Sequence, residues 1–303
     1  MAFFIMRRTY TWNLPRTFIP LGKRTIVMGI LNVTPDSFSD GGRFQDVNAA
    51  VARAEQIQEQ GADVLDIGGE SSRPGSLPVS EEEELRRILP VIEMLNGRLS
   101  IPISVDTYRA RVARMAIDAG AQIINDISAF RFDQEMVTVI RNTHAGVVLM
   151  HSRGSREELH RQSPMVDPTG EVQRELHAST RIAANAGIER SSIVLDPGIG
   201  FGKSAEESLI VLRNLQALSL LEYPLLIGTS RKSFLRKIVS NGPMLEAEDR
   251  LWGTAATTAR AIFDGAHVVR VHDVAEMRVF VDTLDALETP ELPQANGASV
   301  RNT

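Results

Sequence analysis

The chain has 303 residues, 43% of them hydrophobic, with no cysteine and a formal net charge of −5. That length suits one large core, and the missing cysteine excludes disulfides, thiolate metal sites and cysteine nucleophiles. The acidic balance argues against a nucleic-acid surface. No apolar run approaches the roughly 18 residues of a membrane span. Arg7 and Arg8 follow the apolar first six residues instead of preceding them, the wrong order for a secretory signal. A cytoplasmic location is the expectation.

Residues 1–24 carry Pro15, Pro20 and Gly22 around a strand-like stretch at 9–12, which suggests a short N-terminal β-hairpin plugging the amino end of a barrel. Short apolar runs then recur at 26–31, 64–67, 101–105, 122–127, 147–150, 193–195, 225–227 and 268–271. Continuous apolar runs without alternation predict strands covered on both faces, as in parallel sheets. Between them, helical periodicity is expected at 47–60, ending at Gly61, and at 81–95, which is acidic in its first turn and apolar at Leu85, Ile88, Leu89 and Ile92. Further helices are expected at 110–119, 171–186, 205–218 and 251–263. Eight strands alternating with helices predict a single (β/α)8 TIM barrel over 25–287. An open doubly wound sheet is the other α/β solution, and both place function at the carboxyl ends of strands. The tail at 288–303, with two prolines and Gly297, is expected to fray.

Every apolar run ends in polar groups. Asn32 to Gly42 follow the first run, Gly68 to Gly75 the second, and Asp106 ends the third. Asn125 and Asp126 lie in the fourth, and His151 follows Met150 after the fifth. Asp196 to Lys203 follow the sixth, Gly228 to Ser233 the seventh, and Arg270 and His272 mark the eighth. Ordinary capping explains polar ends on one or two strands, but eight converging on one rim point to a site. Asp106, Asn125 and Asp196 suit a ligand edge rich in N–H groups. Arg73, Lys232, Arg270 and His272 suit an oxyanion such as phosphate. Asn32 offers a neutral oxygen acceptable to Mg²⁺. Asn125 and Asp126, the latter more readily, could instead cap the fourth helix, and His151 reads equally well as a core histidine. Residues 198–204 mimic a phosphate loop, but three residues separate Gly198 from Gly202 where such a loop needs four. No Ser–His–Asp or Cys–His arrangement is present, so covalent catalysis is not suggested.

Two segments carry a family resemblance. Gly29-Ile30-Leu31-Asn32-Val33-Thr34-Pro35-Asp36-Ser37-Phe38-Ser39-Asp40-Gly41-Gly42 and Asp66-Ile67-Gly68-Gly69-Glu70-Ser71-Ser72-Arg73-Pro74-Gly75 resemble the signatures of the dihydropteroate synthases, a pterin-binding TIM-barrel family. Gly228-Thr229-Ser230-Arg231-Lys232 and Arg270-Val271-His272 continue the likeness, which spans about 9–287. Ser72 departs from the family's frequent threonine. The resemblance implies a transferase of folate biosynthesis and a sulfonamide target. Its reaction condenses 6-hydroxymethyl-7,8-dihydropterin diphosphate with p-aminobenzoate, SN1-like through a pterin cation. By resemblance, Asp106, Asn125, Asp196, Lys232, Arg270, Met150 and Phe201 hold the pterin, with Arg270 stacking on its ring. Asn32, Arg73, Arg270 and His272 hold the diphosphate, with Asn32 at Mg²⁺. Phe38, Ser71, Ser72, Arg73, Pro74 and Ser233 form the p-aminobenzoate pocket. Asp106, Asp36, Lys232 and Arg270 are the expected catalytic groups, and a homodimer is implied. A corrinoid methyltetrahydrofolate methyltransferase shares the barrel and the Asp/Asn pattern, but it has no use for Arg73, Arg270 and His272 as a diphosphate pocket.

Overall fold

The computed structural model describes residues 7–34, 42–71, 76, 78–156, 158, 162–238 and 250–288, with backbone alone at 42–46 and 237–238. Strands β1 (Tyr10–Asn13) and β2 (Phe18–Leu21) pair antiparallel in the expected hairpin. Eight parallel strands follow: β3 (Ile26–Asn32), β4 (Val64–Gly68), β5 (Ile103–Asp106), β6 (Ile123–Asp126), β7 (Gly146–Met150), β8 (Ile193–Asp196), β9 (Leu226–Ile227) and β10 (Val268–Val271). Neighbours run β8-β7-β6-β5-β4-β3-β10-β9, and a bridge between Leu195 and Leu225 brings the two ends together. The TIM-barrel expectation holds. The third strand begins two residues later than its apolar run because Pro102 has no N–H for the ladder.

The helices are α1 (Gly42–Glu59), α2 (Glu81–Leu95), α3 (Ala110–Ala119), α4 (Glu135–Thr143), α5 (Pro168–Asn185), α6 (Ala205–Arg213), α7 (Ser233–Ile238), α8 (Leu251–Phe263) and α9 (Val274–Glu288). The sequence reading lacked α4, α7 and α9. It also ran α6 on to residue 218. The helix stops at Asn214, whose side-chain amide donates to the Ile210 carbonyl at 2.8 Å, and the chain resumes as a 3₁₀ turn at Leu215–Leu221.

Side-chain alternation along the strands divides the core. One parity faces the helices: Val27, Leu31, Leu65, Ile67, Val105, Val147 and Leu195 join the main helix–sheet core. The other parity faces the barrel axis. Its lower layer, Ile26, Met28, Val64, Ile123, Val148, Val194, Leu226 and Val268, packs against Trp12, Leu14, Ile19 and Leu21 of the hairpin region. Trp12 is fully buried and donates its indole N–H to the Ser192 carbonyl at 3.0 Å. The hairpin therefore closes the amino end with apolar side chains. The same parity carried upward along the strands reaches Asp66, Asp106, Asn125, Met150, Asp196 and Arg270.

Candidate active site

Asp106 ends β5, and the Arg270 guanidinium on β10 reaches it across the barrel mouth, with Nη2 donating to Oδ2 at 2.7 Å. Arg270 Nε donates to Asp66 Oδ2 at 2.6 Å, and the Asn125 amide donates to the same oxygen at 3.2 Å. Asp66 is fully buried within β4. Burial opposes the Arg270 charge, but Asp66 and Asp106 outweigh it and push its pKa up. Burial raises Asp106 to about 7, against the pull of Arg270, with Asp66 adding to the rise.

Asp196 closes β8. Its Oδ1 accepts from the Gly198 amide at 2.7 Å, and burial raises its pKa despite the Lys232 ammonium. Lys232 donates to the Ile199 carbonyl and sits 4.5 Å from the centre of the Phe201 ring, within cation–π reach. Burial lowers Lys232 to about 8, with Asp196 opposing the fall. Met150 and Ile127 are buried in a small apolar cluster with Phe201, Tyr108 and Phe132 partly buried against them. The mouth thus has one apolar wall beside a floor of charges.

Three atoms on that floor lack partners. Asp66 Oδ1, Asn125 Oδ1 and Ser104 Oγ are buried without a hydrogen bond. Leaving a buried polar atom unpaired costs about 1–3 kcal/mol, so such orphans mark where a ligand supplies the missing groups. Two of the three are pure acceptors, and they suit N–H donors.

The sequence-predicted residues divide. Asp106, Asn125, Asp196, Met150, Phe201, Lys232 and Arg270 converge on the mouth. Asn32 stands at the end of β3, in register with Gly68, which is in register with Asp106. His272 Nδ1 lies 3.0 Å from Ser230 Oγ, which also accepts the His272 backbone N–H at 3.1 Å. Ser233 opens α7, and the Ser71 carbonyl accepts from Arg156 at 2.9 Å. Asp36, Phe38, Ser72, Arg73 and Pro74 lie outside the described residues. Asp126 accepts from the Ser128 amide and hydroxyl and the Phe130 amide, so it closes the turn after β6 and does not cap α4, which begins at Glu135 without a side-chain cap.

The sequence reading missed Asp66 as a site residue, along with a hub at Glu70. The Glu70 carboxylate takes Arg109 at 2.8 Å and Arg156 at 2.7 Å, with the Tyr108 hydroxyl at 3.3 Å. Arg109 also pairs with the buried Glu84. These contacts tie the segment after β4 to those after β5 and β7.

The pterin-binding enzyme family matches residues 28–272, a span that includes all eight barrel strands save the first two residues of β3. The chain belongs to that family. A dihydropteroate synthase of a Synechocystis strain is 46% identical over 272 residues, 90% of this chain and 93% of that protein. The Bacillus subtilis dihydropteroate synthase is 43% identical, with 88% and 89% covered. Among solved structures, Xanthomonas albilineans dihydropteroate synthase with 4-aminobenzoic acid superposes with a TM-score of 0.85 at 38% identity, covering 94% of this chain and 100% of that one. The Clostridium difficile enzyme in the presence of pteroic acid gives 0.82 at 44% identity, covering 88% and 98%. The corrinoid-methyltransferase alternative is not favoured by these relatives.

Proposed function

We propose that this chain is a dihydropteroate synthase that joins 6-hydroxymethyl-7,8-dihydropterin diphosphate to p-aminobenzoate, releasing diphosphate. The observation that carries the reading is the buried, orphaned acceptor pair of Asp66 Oδ1 and Asn125 Oδ1 on the same barrel-mouth face as Asp106 and Asp196. The 2-amino and N3–H edge of a pterin supplies the donors that these atoms lack. Relatives bound to 7,8-dihydropteroate and to 4-aminobenzoic acid support the same pair of substrates here.

The reaction breaks the bond between the exocyclic carbon and the diphosphate oxygen, and the electron pair leaves with the diphosphate. Arg270, His272 and Arg73 supply positive charge to the departing anion. The carbon becomes cationic, and the pterin ring spreads that charge while Asp106 and Asp36 supply negative potential. Lys232 and Asp196 orient the ring, and Met150 and Phe201 exclude water from one face. The neutral amine of p-aminobenzoate, held by Phe38, Ser71, Ser72, Arg73, Pro74 and Ser233, then attacks the carbon and loses a proton. An aniline nitrogen is unprotonated near neutral pH, so no strong base is required. A sulfonamide competes for this second pocket, as fits the Yersinia pestis relative solved with a sulfonamide drug.

Asn32 is the residue we assign to Mg²⁺. Gly68 leaves room beside it, since a Cβ there would stand 3.8 Å from Asn32 Oδ1 and 3.7 Å from the Asp106 Cβ. A neutral amide oxygen fits an ion that keeps few protein ligands and binds substrate phosphates. When bound, the ion adds positive charge at the diphosphate. The working form is a cytoplasmic homodimer, in keeping with exposed apolar residues on the last two helices, Trp252 and Phe263 on α8 and Val279 and Leu287 on α9. The deciding experiment is a dihydropteroate turnover assay with Mg²⁺ present and chelated. Product in the first arm alone supports the whole reading. No product in either arm ends it, and equal product in both removes the metal from it.

A further inference from the structure

Residues 198–204 lack the spacing of a phosphate loop, yet Lys203 is buried, at 9% exposure. Its side chain points back into its own loop. Nζ lies 2.7 Å from His151 Nδ1, 2.9 Å from the Gly198 carbonyl, 3.2 Å from the Phe201 carbonyl and 3.3 Å from the His151 carbonyl. An unpaired buried ammonium costs several kcal/mol, so these acceptors are what keeps it there. The loop is shaped for that purpose. Gly198, Gly200 and Gly202 all take positive φ, and a Cβ on Gly198 would come within 1.8 Å of the His151 carbonyl oxygen.

Two site groups depend on the shape that results. Phe201 is itself one of the residues whose carbonyl Lys203 holds, and its ring carries the Lys232 ammonium. The Ile199 carbonyl accepts from Lys232, and the Gly198 amide donates to Asp196. We infer that Lys203 is a positioning residue for the pterin half of the site: by gathering the carbonyls of His151, Gly198 and Phe201, it fixes the loop that presents Phe201, the Ile199 carbonyl and the Gly198 amide. This role rests on the pterin reading above and extends it to a residue that does not touch substrate.

The same neighbourhood offers a metal-like triad in His151, Glu171 and Glu175. Lys203 weighs against that use. Burial pulls Lys203 down to about 7, with Asp196 opposing the fall, and in its charged form it has no acceptor, so Nδ1 of His151 then accepts and the ring proton sits on Nε2, 3.2 Å from Glu175 Oε2. Arg153 Nε already holds Glu171 at 2.8 Å. The triad is better described as the outer surroundings of Lys203, with Glu175 of α5 lying 3.2 Å from a His151 Nε2 that makes no hydrogen bond.

The test is a substrate-resolved comparison of Lys203→Met, which keeps the stem and removes the donor. The expected result is a KM for the pterin diphosphate raised about tenfold or more, the effect of losing a charged hydrogen-bond donor. The KM for p-aminobenzoate stays within about threefold, because that pocket does not use the loop. The double variant Lys203→Met/Phe201→Ala is expected to be no worse than the poorer single, since both act through the loop. Equal rises in both KM values, or fully multiplicative singles, overturn the role. If Lys203→Met does not fold, Lys203→Gln, which keeps one donor head, must show the same split. A wild-type enzyme that does not turn over the pterin diphosphate defeats the functional reading instead, so the two failures are distinct.

Discussion

Arg270 and Asp66 form a buried ion pair beneath the barrel mouth, Nε to Oδ2 at 2.6 Å, with the carboxylate at 0% exposure. This pair holds the guanidinium where its other arm reaches Asp106. Asp66→Asn keeps the shape and removes the charge. Breaking a buried pair outright costs about 3–5 kcal/mol, and the isosteric amide, which still accepts, is expected to cost about 1–3 kcal/mol. The expected outcome is a lower melting temperature and a drop of about tenfold or more in kcat/KM for the pterin diphosphate. Thermal unfolding and turnover measure both, and wild-type values in both would remove Asp66 from the site.

A pH dependence follows from Asp106. Its folded value near 7 stands above the ordinary 3.8, chiefly because burial disfavours the charged form. The folded chain therefore holds this proton more tightly than the unfolded one. The stability it contributes is full below pH 3.8 and is lost as pH rises to about 7. Ligand binding runs the other way, because an ionised Asp106 accepts from the pterin. Calorimetry with 6-hydroxymethyl-7,8-dihydropterin, which carries no titrating phosphate, is expected to show tighter binding at higher pH across that window. Asp106→Asn should bind weakly and lose the slope. A slope retained in the variant would assign the titration elsewhere.

Lys232 sits beside the buried Asp196 and over the Phe201 ring. Lys232→Met keeps the stem, removes the ammonium and leaves the Asp196 carboxylate without the cation that most offsets its burial. A lost charged hydrogen bond is worth about 1.5–3 kcal/mol, so the KM for the pterin diphosphate is expected to rise about ten- to a hundredfold, with a smaller change in kcat. Steady-state kinetics at saturating p-aminobenzoate checks this. A fall confined to kcat would make Lys232 a group that acts only in the transition state.

The barrel and most of the mouth were legible because each strand delivers its chemistry at its carboxyl end, where polar residues interrupt an apolar run. Asp66 was not legible by that rule. It lies inside Val64–Gly68, between Leu65 and Ile67, and only its shared parity with Val64 and Gly68 places it on the barrel axis. The Glu70 hub was out of reach for another reason: its partners Arg109 and Arg156 lie 39 and 86 positions away, and only the closed barrel brings them together. Helix α4, over Glu135–Thr143, was missed because Val137, Thr138 and Val139 form a β-branched run that reads as strand. Tertiary packing of Met136 and Ile140 overrides that preference. Helix α9, by contrast, carries a helical stripe at Val274, Met277, Val281 and Leu284 that the sequence alone displays.

The hairpin plug separates stability from catalysis. Trp12 fills the amino end of the barrel, against the lower layer of strand residues, while every converging site residue lies toward the carboxyl ends. Trp12→Ala removes a fully buried indole and leaves the Ser192 carbonyl without its donor. Truncations of this kind cost about 3–5 kcal/mol, because the surroundings collapse only partly into the space. In a chain of this size, such a loss lowers the melting temperature by roughly 5–15 °C. The KM values for both substrates should stay at wild-type levels at 20 °C, where most molecules remain folded. Calorimetric unfolding and kinetics on the same preparation test the separation. A raised KM for the pterin diphosphate with an unchanged melting temperature would mean that the plug shapes the mouth from below.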